Sequence, residues 1–139
     1  MHAKAVWNGD MGFTGANQEG FLVPMDAQKV VGGHDMGFRP LELLASGLTG
    51  CTGMDGISIL KKKRQEVTQF EVHAEVERAA EHPKVFTRIV LEYKFWGKNL
   101  DPEAIERAVE LSETKYCGAQ AMLRETAEIT HKITITQED

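Results

Sequence analysis

Hydrophobic and polar positions alternate with period two at both ends of the chain. Between them, apolar residues recur at helical spacing over one long stretch. Near the N-terminus, Ala3, Ala5 and Trp7 fall on one side of an extended segment over 2–7. A glycine-rich turn and a short strand follow over 11–16, and then Phe21, Val23 and Met25 alternate again. Pro24 has no N–H to donate, so this third strand belongs at a sheet edge. Gly32, Gly33 and Gly37 make 31–37 a loop. From Pro40 to about Arg64, Leu41, Leu44, Leu48 and Cys51 recur at helical spacing, and Ile57, Ile59 and Leu60 continue the apolar content. Pro40 suits the first helical turn, Arg39 is a poor cap, and Lys61 to Arg64 complement the negative end of the helix dipole.

Two long alternating strands come next. Phe70, Val72, Ala74 and Val76 form one apolar side, and Ile89, Leu91, Tyr93 and Phe95 the other, with a hairpin around Glu81-His82-Pro83. Asp101-Pro102 is a cap followed by proline, and predicts a second helix over about 102–115. Cys117-Gly118 breaks it before a short helix over about 119–126. A final strand carries Ile129, Ile133 and Ile135. This order predicts a single α+β domain over 1–139 with an antiparallel sheet.

Composition and charge remove several classes. The net charge is −5, with 16 Lys and Arg against 21 Asp and Glu, so the basic face of a nucleic-acid binder is missing. No run of 18 apolar residues occurs and the first residues form no apolar leader; the expectation is a cytoplasmic protein with no membrane span. The two cysteines, Cys51 and Cys117, lie 66 residues apart, which argues against a zinc site built on a close thiolate pair.

Within the long helix, Gly47, Gly50, Gly53 and Gly56 fall at every third position. Each costs about 1 kcal/mol relative to alanine, so another element should pack closely against this stripe. The second helix or a symmetry mate would serve, and a helix-centred homodimer is the expectation. Cys51 sits inside the stripe among small neighbours. Cys117 precedes the short helix, where backbone N–H groups and nearby Lys115 favour a thiolate. Asp55 lies at i+4 from Cys51, on the same helix face, and its carboxylate opposes a thiolate there. His34 in its loop could complete a three-ligand metal set with the cysteines, but no ligand spacing supports it.

The segment from Arg39 to Asp55, RPLELLASGLTGCTGMD, resembles the central helix of the OsmC and organic hydroperoxide resistance family. That helix carries a proline, Glu-Leu-Leu, and a small-residue run ending in a reactive cysteine. Lys115-Tyr116-Cys117 resembles the family's second-cysteine segment, and the element order agrees over the whole chain, best with the branch of YhfA-type proteins. The resemblance implies an intertwined homodimer with long central helices enclosed by two curved sheets. It also implies thiol-dependent reduction of small apolar hydroperoxides in oxidative-stress defence. Cys51 would be the peroxidatic thiol and Cys117 the resolving one, joined in an intramolecular disulfide. An external dithiol would reset them, with no prosthetic cofactor.

Two positions depart from the family. Its glutamate directly after the helix-starting proline is Leu41 here, with the carboxylate one residue on at Glu42. Its N-terminal hairpin arginine is absent, and the first arginine is Arg39. Arg39 and Glu42 are thus the candidate activating residues. Along one helix they stand roughly 18 and 13 Å from Cys51, so Arg39 would have to act across the dimer. The alternative is a non-enzymatic relative that binds an apolar or electrophilic ligand, or senses redox state. Phe38, beside the helix start, could line a pocket for either.

Overall fold

Strands β1 (Ala3–Gly9), β2 (Gly12–Asn17) and β3 (Leu22–Met25) pair antiparallel in chain order in a computed structural model that describes all 139 residues. As Pro24 requires, β3 is an edge. A single 3₁₀ turn, Lys29–Val31, interrupts the loop that follows. The Asp26 carboxylate fixes this loop by accepting from the backbone N–H groups of Ala27, His34 and Met36 at 2.7, 3.0 and 3.2 Å. A side chain at Gly33 would run into the Ala27 carbonyl, so close backbone approach explains that glycine.

The chain forms two compact units, Met1–Leu44 and Ala45–Asp139. Helix α1 (Pro40–Lys62) starts in the first, and most of its length belongs to the second. Glu42 reaches back to accept from the Arg39 N–H at 2.7 Å, half of a capping box, and so offsets the poor cap.

In the second unit, β4 (Glu66–Arg78), β5 (Phe86–Lys98) and β6 (Glu128–Gln137) form a sheet with β5 in the middle. The alternation read from the sequence holds: Ile89, Leu91, Tyr93 and Phe95 are all buried, and Phe95 stacks on Phe70 of β4. The sheet is mixed, however, and this corrects the antiparallel expectation. β4 and β5 are antiparallel, but β6 runs parallel to β5. Helices α2 (Pro102–Leu111) and α3 (Gly118–Leu123) lie between β5 and β6, and such a crossover returns the chain in the same direction. Asp101 caps α2 as expected, accepting from Glu103 N–H at 3.0 Å ahead of Pro102.

The buried line of α1 is Leu48, Thr52, Gly56 and Leu60, at four-residue spacing. It is rotated from the line of leucines read in the sequence, and Leu44 is exposed. The glycine stripe divides. Gly53 and Gly56 pack against Val72 and Phe70 of β4, at 3.4 and 3.6 Å from where their Cβ atoms would stand. Gly47 and Gly50 face open space within one chain. By length and composition α1 is also apolar enough to cross a bilayer, which amends the expectation that no segment is.

Candidate functional site

Helical periodicity brings Cys51 and Asp55 to one face of α1, one turn apart. Cys117 reaches them from the far end of the crossover. After α2 the chain does not break cleanly but widens into a π-helical turn, Ser112–Tyr116, of the kind found at functional sites. The Cys117 N–H closes that turn on the Ser112 carbonyl at 2.8 Å. The two sulfurs and one Asp55 carboxylate oxygen then all lie within 4.8 Å of one another. Cys51 is partly exposed and Cys117 is buried.

Behind the cluster runs a buried chain of polar side chains. Ser112 Oγ donates to Asp55 Oδ2 at 3.0 Å. Its hydrogen thus committed, Ser112 Oγ must accept from Thr52 Oγ1, 2.7 Å away. Thr52 in turn accepts from the Tyr93 hydroxyl at 2.8 Å. Gln120 Nε2 donates to both Thr52 Oγ1 and the Tyr93 oxygen, at 3.1 and 3.3 Å. The carboxylate at one end therefore sets the direction of every bond. Ser112 holds two members of the cluster at once, Asp55 through its hydroxyl and Cys117 through its carbonyl.

The electrostatics separate the groups. Burial pushes the Cys117 thiol up to about 11, and hydrogen bonding with Cys51 adds to this. The Gln120 N–H that reaches Cys117 Sγ at 3.4 Å opposes the shift and is outweighed. The expectation of a helix-stabilised Cys117 thiolate is thus corrected, because desolvation dominates at a buried sulfur. Lys115 does not help it, for its ammonium lies over the Tyr116 ring. Burial likewise pushes the Tyr93 hydroxyl up to about 12, which keeps it a donor. Glu113, beside this region, is also raised by burial, although His131 Nδ1 stands 2.7 Å from its carboxylate.

The other candidates have local partners. Arg39 pairs with Asp35 and donates to the Gly37 carbonyl, and Glu42 serves the helix start. His34 bonds Asp10 at 2.8 Å. The side chain that stands beside the two thiols is thus Asp55, not His34. Sequence reasoning missed Thr52, Tyr93, Ser112 and Gln120 as a group. The available signal was polar atoms on apolar faces: Thr52 lies four residues from both Leu48 and Gly56, and Ser112 continues the buried face of Ile105, Ala108 and Val109.

A cavity of about 180 Å³ opens beside the cluster, lined by Asp55, Ser58, Ile59, Lys62 and Tyr116. A larger hollow of about 400 Å³ on the N-terminal sheet is lined by such residues as Lys4, Phe21, Leu22, Val23 and Met25, and holds neither cysteine. The smaller cavity is the one that bears on the chemistry.

The pattern of the family described as OsmC-like protein matches residues 32–132. The protein YhfA of Escherichia coli (strain K12) is 36% identical over 131 residues, covering 94% of this chain and 95% of that protein. The crystal structure of a protein from Aquifex aeolicus VF5 superposes with a TM-score of 0.87 at 28% identity, covering 99% of this chain and 97% of the other. A structure from Legionella pneumophila, titled an organic hydroperoxide resistance protein OsmC, shares the fold at TM-score 0.70 and 16% identity, covering 96% and 95% of the two chains.

Proposed function

The chain belongs to the OsmC-like protein family, and on that premise we propose that it is a thiol-dependent reductase of organic hydroperoxides acting as a homodimer. One observation carries the reading: two cysteines 66 residues apart in sequence bring their sulfurs within 4.8 Å. The Legionella relative, a hydroperoxide resistance protein by its title, supports the substrate class.

The roles follow from exposure. Cys51, the partly exposed sulfur, is the one a peroxide can reach. Its thiolate attacks the hydroperoxide O–O bond, takes one oxygen as sulfenic acid, and the alcohol leaves with a proton. Cys117, buried and held as a neutral thiol, then displaces the sulfenic hydroxyl to give the disulfide and water. An external dithiol restores both thiols, and no prosthetic group enters the cycle. Arg39 would have to exchange its Asp35 partner to serve the thiolate, so the reading does not rest on it.

The homodimer draws support from uncovered apolar surface. In the N-terminal unit Val6, Trp7, Phe21, Leu22 and Val30 are exposed, and no large apolar side chain is buried. On α1, Met54 is 74% exposed beside the open Gly47 and Gly50.

The test is to mix reduced protein with a slight excess of an organic hydroperoxide and follow free thiols and intact mass. Loss of both thiols, with a two-hydrogen mass decrease within one chain, is expected, and Cys51→Ser should abolish it. Retention of both thiols would overturn the reductase reading. It would leave a protein that binds an apolar or electrophilic ligand.

A further inference from the structure

The resolving step has an unmet requirement. Cys117 must lose a proton to attack, and the hydroxyl on Cys51 must gain one to leave as water. The attacking thiol is buried, where a free thiolate is disfavoured. A group that takes the first proton and delivers the second would serve both ends.

Asp55 is the one carboxylate in the cluster, within 4.8 Å of both sulfurs. Ser112 occupies Oδ2, and Oδ1 accepts no hydrogen bond within the chain. The same Ser112 anchors the Cys117 backbone, so carboxylate and attacking thiol share one mount. That open carboxylate oxygen is what the resolving step lacks.

Resting on the reductase reading, we propose that Asp55 relays the proton of the resolving step, with Ser112 as its positioning residue. Once an organic hydroperoxide has oxidised Cys51, the Cys117 sulfur attacks the sulfenic sulfur. The S–S bond forms as the S–O bond breaks. The proton from Cys117 passes to the Asp55 carboxylate and on to the departing oxygen, which leaves as water. The sulfenic sulfur is reduced and the Cys117 sulfur oxidised by the same amount, so no further oxidant is needed. Asp55 ends as it began, a carboxylate.

The test compares wild type with Asp55→Asn, whose side-chain oxygen can still accept from Ser112. Reduced protein is mixed with one equivalent of cumene hydroperoxide. Sulfenic acid is trapped with dimedone, and the disulfide is followed by intact mass. Wild type should pass to the disulfide with little trapped sulfenic acid. Asp55→Asn should still oxidise Cys51 but accumulate the dimedone adduct, with disulfide formation at least about tenfold slower. Disulfide formation at the wild-type rate in Asp55→Asn would overturn the relay and leave the reductase reading standing. If wild type forms neither product, both fall. Should Asp55→Asn not fold, wild type in heavy water gives a second readout. Disulfide formation should slow because a proton is in flight, and equal rates in the two solvents would overturn the proposal.

Discussion

At Cys117, burial and helix position pull in opposite directions, and burial wins. With the thiol raised from 9.0 to about 11, its thiolate population at neutral pH falls roughly a hundredfold. Iodoacetamide at pH 7 should therefore label Cys51 well before Cys117, and labelling of Cys117 should climb until the pH nears 11. Equal labelling by peptide mass mapping would contradict this. The neutral thiol also favours the fold: that contribution is complete below pH 9.0 and is lost as the pH rises through about 11. Tyr93 is the second residue where one atom decides an outcome. Its hydroxyl donates to Thr52 and accepts from Gln120. Tyr93→Phe should lower stability by about 1–2 kcal/mol, seen as a lower urea midpoint at constant slope.

Among the elements, the loop after β3 depends on one carboxylate more than on its own packing. Asp26 is buried to 6% exposure, and the Ala27 N–H leads the three backbone donors that hold its carboxyl below the usual carboxylate value. A depressed carboxyl stabilises the fold above its ordinary value of 3.8, and that contribution is lost as the pH falls through the lowered one. Asp26→Asn should melt lower than wild type at pH 7, with the gap closing in acid. A gap that is constant with pH would show that Asp26 acts by shape alone. The π-helical turn Ser112–Tyr116 is the other element with a consequence. A regular continuation of α2 would not close on Cys117 in the same way, and it is this turn that sets Cys117 on the Ser112 carbonyl.

On the scale of the molecule, the open half of the glycine stripe separates the isolated chain from the proposed dimer. In a lone chain Gly47→Ala and Gly50→Ala would meet no atom within 4 Å and would gain about 1 kcal/mol each in helix propensity. Against a closely packed partner helix the same methyl groups would collide. The double variant should therefore weaken self-association, measured as a concentration-dependent fall from twice 15.5 kDa in sedimentation. A more stable variant that stays dimeric would place the interface elsewhere.

Much of this arrangement was legible in sequence because its causes are local. Period-two alternation gave the strands, Asp101-Pro102 the start of α2, and Pro24 the sheet edge. One turn of helix put Asp55 on the face of Cys51. What lay beyond sequence depends on segments far apart in the chain. The parallel placement of β6 follows from the whole crossover. Thr52, Tyr93, Ser112 and Gln120 read singly as ordinary core or small polar residues, and their separations reach 68 positions. Periodicity says which way a side chain points, but not what it meets. Only the packed structure could bring the Cys117 sulfur to Asp55, and only its burial could decide that Cys117 holds its proton.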